Sequence, residues 1–172
     1  QSRGLGDVYK RQALHCVFCQ NENIANGTAG KVISTERLGE IFLELQEKGA
    51  NNINLVTPGQ FVPQIIKAVE LARNQNLKIP IVYNTSSYEN VDTIRSLEGI
   101  VDIYLPDFKY FDTALSAKYS HAPDYPAVAK AVIAEMVRQT GAAVFENGED
   151  SLMKRGTIVR HLILPGCTKD SK

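Results

Sequence analysis

From residue 34 onward, helical and strand signals alternate without a break, and few architectures accept that order. Ser34 or Thr35 offers a helix cap with Glu36 in the first turn. Leu38, Ile41, Phe42 and Leu45 follow at i, i+3, i+4 and i+7, an apolar stripe of helical period, and Gly49 fits the stop. Ile53-Asn54-Leu55-Val56 is a short strand ended by Thr57-Pro58-Gly59. Pro63 opens a second helix with Val62, Ile65, Ile66, Val69 and Ala72 on one face. Residues 79–83 read as a strand, Val91, Ile94 and Leu97 as a short helix, and 101–105 as a strand stopped by Pro106. A long connection over 107–125 precedes a helix begun by Pro126, and 157–164 reads as the last strand, stopped by Pro165-Gly166.

Strands separated by helices predict an α/β fold with a parallel sheet and right-handed crossovers. The strands are apolar rather than alternating, as expected when both faces are covered. Ligands of such sheets bind at the carboxyl ends of strands. The segments that follow the strands are Thr57-Pro58-Gly59-Gln60, Asn84-Thr85-Ser86-Ser87 and Asp107-Phe108-Lys109, all rich in hydrogen-bonding groups. With 172 residues the chain is about one domain, and it is short for an eight-stranded barrel of about 250 residues.

The nineteen basic residues balance nineteen acidic ones, which argues against a polybasic nucleic-acid or membrane-surface binder. No apolar run approaches the roughly 18 residues of a membrane span, and no secretory signal is read at the start. Three cysteines are too few for a disulfide scaffold, so a reducing cytoplasm is the expected compartment.

Two of those cysteines form Cys16-Val17-Phe18-Cys19. Two thiolates this close suit half of a zinc site, a thioredoxin-like dithiol or part of an iron–sulfur site, and two buried small residues are the bland alternative. His121, His161 and Cys167 do not form a second zinc pair, and a thioredoxin motif would follow a strand rather than precede the whole series. Spacing alone leaves the readings open.

The run Ala13-Leu14-His15-Cys16-Val17-Phe18-Cys19-Gln20-Asn21 resembles the cluster loop of radical S-adenosylmethionine (SAM) enzymes, in the branch similar to the pyruvate formate-lyase-activating enzyme. The resemblance extends over residues 13–172, and the family pattern is Cys-x-x-x-Cys-x-x-Cys with an aromatic residue before the last Cys. Phe18 is that aromatic, and the first Cys would fall at position 12, which is Gln12. Residues 1–12 resemble a translated adaptor, so they are expected to be a foreign leader that overwrote the first ligand; the rival is a natural loss of that Cys.

The resemblance implies a partial (βα)6 barrel of the radical SAM type, truncated at both ends, with helices outside and roughly its second to fifth strands present. It implies a 4Fe-4S cluster held by three thiolates, Cys16 and Cys19 among them, with SAM on the fourth iron. Reductive cleavage of SAM then yields a 5′-deoxyadenosyl radical, and the protein serves to position the parts and exclude water. The cofactor-binding residues implied are Phe18, Thr57, Pro58, Gly59, Asn84, Thr85, Asp107, Lys109 and Arg160. Some relatives carry Gly-Gly-Glu where this chain has Thr57-Pro58-Gly59-Gln60. Arg160 belongs to an Arg-x-x-x-x-Pro-Gly pattern, and its guanidinium fork suits a carboxylate. Cys167 is read as a non-ligand, His15 as a residue near the cluster or facing solvent, and His161 as structural, while His121, in the long connection, is left open to substrate contact.

The same segments carry ordinary structural readings: Thr57, Ser86 or Ser87 as helix caps, and Asp107, Lys109 and Arg160 in ion pairs. The implied partners are a glycyl radical enzyme or other protein substrate and an electron donor such as flavodoxin or ferredoxin, with no nucleic acid and no membrane. With Gln12 in place of the first Cys, the chain as written is expected to be inactive. A non-catalytic binding module on the same barrel and a zinc or dithiol protein are the alternatives from other classes.

Overall fold

The computed structural model describes residues 14, 16–19, 31–146 and 151–171. The expectations for the leader 1–12, for Gln12, and for Ala13, His15, Gln20 and Asn21 lie outside the described residues. The described part is an α/β structure on a mostly parallel, mixed sheet.

Helix α1 spans Thr35–Glu47, and the Ser34 hydroxyl caps it by accepting from the Arg37 N–H at 3.1 Å. Strand β1 is Ile53–Val56, and a single 3-10 turn at Gly59–Phe61 leads into α2, Val62–Asn74, with Pro63 in its first turn. Strand β2 is Ile81–Thr85 and the short α3 is Val91–Arg95. The cap of α3 is Asn90, whose Oδ1 accepts from the Asp92 N–H at 2.8 Å, so neither Ser86 nor Ser87 caps a helix. Strand β3 is Ile103–Phe108.

The connection expected over 107–125 is not featureless. It contains α4, Thr113–Ser120, capped by Asp112, before α5 at Tyr125–Thr140. After α5 come β4, Val144–Phe145, β5, Met153–Thr157, and β6, Arg160–His161, then a 3-10 turn at Thr168–Ser171.

The strand order is β1-β2-β3-β5-β4, with β6 also on β3. The β1–β2, β2–β3, β3–β5 and β3–β6 pairs are parallel, whereas β4 runs antiparallel to β5, which corrects the expectation of an all-parallel sheet. Two further corrections share one cause. Pro106 lies within β3 rather than stopping it, opposite Thr85 of β2. The strand expected at 157–164 runs earlier and is interrupted at residues 158–159. Tyr104 faces Thr157 and Asp107 faces Arg160, three residues on in both strands, so the register is unbroken across the gap. The Ile158 N–H still donates to the Tyr104 carbonyl at 2.9 Å. The next ladder bond would come from the N–H of residue 106, and proline has none.

The main core lies between the sheet and the helices: Phe42, Ile53, Ile65, Val69, Ile81, Ile94, Leu97, Val132 and Met136 pack together. Helices α1 and α2 approach closely because a Cβ at Gly39 would lie 3.1 Å from the Ala68 carbonyl oxygen. A second cluster of different character joins Leu14, Phe108, Tyr110, Ala122, Tyr125 and Ala129, with Cys16 and Phe18 packed against it. Among the described residues no helix is long and apolar enough to cross a membrane.

Candidate functional site

A cleft of about 590 Å³ opens at the carboxyl ends of β1, β2, β3 and β6. Parallel strands bring their last residues to one edge, where the sheet no longer consumes the backbone polar groups. Of the residues singled out in the sequence, Cys16, Phe18, Cys19, Thr57, Gly59, Asn84, Thr85, Asp107, Lys109 and Arg160 all line this cleft. Pro58 does not: it is buried and precedes the 3-10 turn.

The cysteine loop is docked on the second core. The Val17 N–H donates to the Tyr119 carbonyl at 3.0 Å, and the Cys19 N–H donates to the Cys16 carbonyl at 3.1 Å, which closes the turn. Cys16 Sγ lies 2.9 Å from Ser120 Oγ, and that hydroxyl lies 2.7 Å from the Tyr110 hydroxyl. Burial pushes Tyr110 up to about 12, so it stays a neutral hydrogen-bonding group. Both cysteines are free thiols. Among the described residues no group of three or more His, Cys, Asp or Glu side chains is placed to hold a metal ion.

The floor at the β3–β6 side is charged. Asp107 accepts from Lys109 Nζ at 2.6 Å through one oxygen and pairs with Arg160 Nη2 at 2.7 Å through the other. Arg160 also donates to Asn84 Oδ1 at 2.7 Å, across to β2. Two cations on one carboxylate leave one net positive charge facing the cleft. Lys109 and Asp107 are well covered, at 16% and 21% side-chain exposure, while Arg160 keeps 44% and is the reachable cation.

Tyr125 organises this floor from beneath. Its hydroxyl accepts from the Lys109 N–H at 2.9 Å and shares its hydrogen between the carbonyls of Ser86 and Asp107, each at 2.9 Å. One buried side chain thus ties the loops after β2 and β3 together. Burial first, and the nearby Asp107 charge after it, raise its pKa.

Two turns beside the cleft hold unusual backbone. Thr57, at the end of β1, has φ 49°, an outlier for a β-branched residue, and its N–H donates to the Asn84 carbonyl at 2.8 Å. It caps no helix. Ser87 has φ 66°, and its buried hydroxyl has no hydrogen-bond partner among the described residues.

Sequence reasoning missed four contributors. Glu89 lines the cleft, accepting from the Tyr83 hydroxyl at 2.6 Å and from the Thr85 hydroxyl. Tyr110, Ser120 and Tyr125 lie in or beside a connection that carried no periodic signal. His161, read as structural, also lines the cleft, with its ring held on both sides. Nδ1 lies 2.6 Å from the Phe108 carbonyl, which can only accept, so Nδ1 carries the proton; Nε2 lies 2.8 Å from Ser171 Oγ. Cys167 does not line the cleft, and His121 ends α4 in a left-handed conformation.

The chain is similar to an uncharacterized protein of Methanocaldococcus jannaschii, 24% identical over 157 residues. The match covers 87% of this chain and 41% of the archaeal protein, so the chain spans under half the length of that relative. No family profile and no solved structure matches the chain.

Proposed function

We propose that the chain is part of a radical SAM enzyme built on a partial (βα)6 barrel, similar to the activating enzymes of glycyl radical proteins. The observation that carries this reading is the convergence of the Cys16–Cys19 loop and the strand-end residues on one cleft. Leu14, Cys16 and Phe18 pack on the Tyr110 and Tyr125 cluster, which brings the cysteine loop to the carboxyl edge of β3.

The donor set fits a 4Fe-4S cluster in part. Cys16 and Cys19 supply two thiolates on one turn, and the third falls at Gln12 in the sequence pattern. When bound, the cluster would supply the electron that cleaves SAM to methionine and a 5′-deoxyadenosyl radical. The chain's own residues bind and orient. Arg160, with the Asp107–Lys109 pair behind it, presents a positive charge suited to the ligand carboxylate. Asn84 offers its side-chain amide, Thr57 and Thr85 line the cleft, and Phe18 supplies an apolar surface. The second core packs beneath the loop against Cys16 and Phe18.

Reconstitution of the Gln12→Cys chain with iron and sulfide under strict exclusion of oxygen tests the reading. The expected result is a coloured protein with stoichiometric inorganic sulfide that cleaves SAM when reduced. A colourless protein without inorganic sulfide overturns it. Cys16→Ala and Cys19→Ala in that background are each expected to abolish cluster assembly.

Gln12 itself favours a second reading, a binding module on the same scaffold that uses the cleft without a cluster. SAM binding by a Gln12→Cys chain that takes up no iron would select it. Zinc without iron in the purified chain would select the zinc reading.

A further inference from the structure

Glu89 is an acid in an unusual position. Its carboxyl is drawn back over the end of β2, where the Tyr83 and Thr85 hydroxyls each donate to one oxygen. The third side is closed by the loop after β1: a Cβ on Gly59 would lie 2.7 Å from Glu89 Oε2 and 3.1 Å from Cδ. Glu89 lines the cleft. Both of its donors are neutral, and among the described residues no cation pairs with it. The cations of the cleft, Arg160 and Lys109, are committed to Asp107. A carboxyl withdrawn from water without a counter-charge is costly, and such groups are retained where a charge arrives from elsewhere. Burial raises its pKa, the mark of a carboxylate lacking a compensating cation.

We infer that Glu89 is the cation-recognising residue of the cleft, contacting a positively charged group of the ligand whose carboxylate faces Arg160. Glu89 lies on the β1–β2 side and Arg160 on the β3–β6 side, and both touch β2 through consecutive residues, Thr85 and Asn84. Both side chains line the same cleft, so one ligand bearing an ammonium and a carboxylate can meet the two. The inference rests on the reading of the ligand as SAM, which carries two cationic groups, an ammonium and a sulfonium.

Titration of the reconstituted Gln12→Cys chain and of the same chain carrying Glu89→Gln, followed by ligand-observed NMR, decides the matter with three probes. SAM has both cations, S-adenosylhomocysteine has only the ammonium, and 5′-methylthioadenosine has neither. Glu89→Gln is expected to weaken SAM about tenfold and to leave methylthioadenosine unchanged. A parallel loss with S-adenosylhomocysteine assigns the ammonium as the partner; an unchanged affinity for it assigns the sulfonium. Equal SAM affinity of the two proteins overturns the role of Glu89 and leaves the proposed function standing. No SAM binding by the reconstituted Gln12→Cys chain overturns the SAM reading and this assignment with it. Without ligand, the variant is expected to melt at or above the temperature of the chain that keeps Glu89; a clear fall would make Glu89 a structural strut and overturn the inference.

Discussion

The two ends of the sheet use the same pair of residue types to opposite effect. At the amino end, Arg73 and Asp102 form a closed set. Arg73 donates to the carbonyls of Gly99 and Ile100 at 2.6 and 2.9 Å and pairs with Asp102 at 3.1 Å. Asp102 in turn accepts from the Ile81 N–H at 2.8 Å. One cation meets one anion, and the other contacts are to the backbone. At the carboxyl end, Arg160 and Lys109 share Asp107, and among the described residues no cation pairs with Glu89. The first set is complete within the protein. The second leaves a surplus positive charge and an acid without a cation among the described residues, both lining the cleft, which is the arrangement the proposed binding role calls for.

Several substitutions break or sharpen that contrast. Ile81→Ala, in the fully buried part of the core above Asp102, is expected to cost about 2–5 kcal/mol in urea unfolding, with SAM affinity of the folded fraction unchanged. Asp102→Ala removes the partner of Arg73 and leaves the Ile81 N–H unsatisfied. About 2 kcal/mol of stability should be lost, again without effect on the ligand. A loss of ligand affinity would show that the two ends are not independent.

Arg160→Ala reverses the pattern. SAM affinity is expected to fall by about 1–3 kcal/mol while stability stays within about 0.5 kcal/mol, because the side chain is half exposed. Unchanged affinity would return Arg160 to a purely structural role. The charges on α5 provide a mixed case. Arg138 bridges the exposed Glu98 and the buried Glu135, so Arg138→Ala is expected to lower stability by more than Glu98→Ala, because it leaves Glu135 with only Gln139 as a hydrogen-bond partner among the described residues. The Arg138 and Gln139 hydrogen bonds hold the Glu135 pKa down to about 2 from its ordinary 4.5. Its contribution is therefore present above pH 4.5 and lost as the pH falls through about 2. Glu135→Gln should flatten the acid limb of the stability curve over that interval.

Much of the fold was legible because its information is local. Ser34, Pro63 and Pro126 mark helix starts through chemistry that acts within one turn, and the apolar stripe of α1 is a matter of spacing. Pro106 misled because its effect falls on a neighbour. It sits in β3 without harm and interrupts the partner strand 53 residues away, between β5 and β6. Most cleft residues were legible because strand ends converge by topology. Glu89 was not, since its meaning depends on contact with Gly59, thirty positions earlier in the chain. Tyr125 was hidden for the same reason: its role is to fasten three backbone groups drawn from two loops.

The missing N–H of Pro106 also has a mechanical side. Arg160 is carried by a tongue of two paired residues that the proline has unhooked from the strand behind it. The ladder is thereby split into two short runs, and Arg160 is fastened at its tip by Asp107 and Asn84 instead of by a continuous strand.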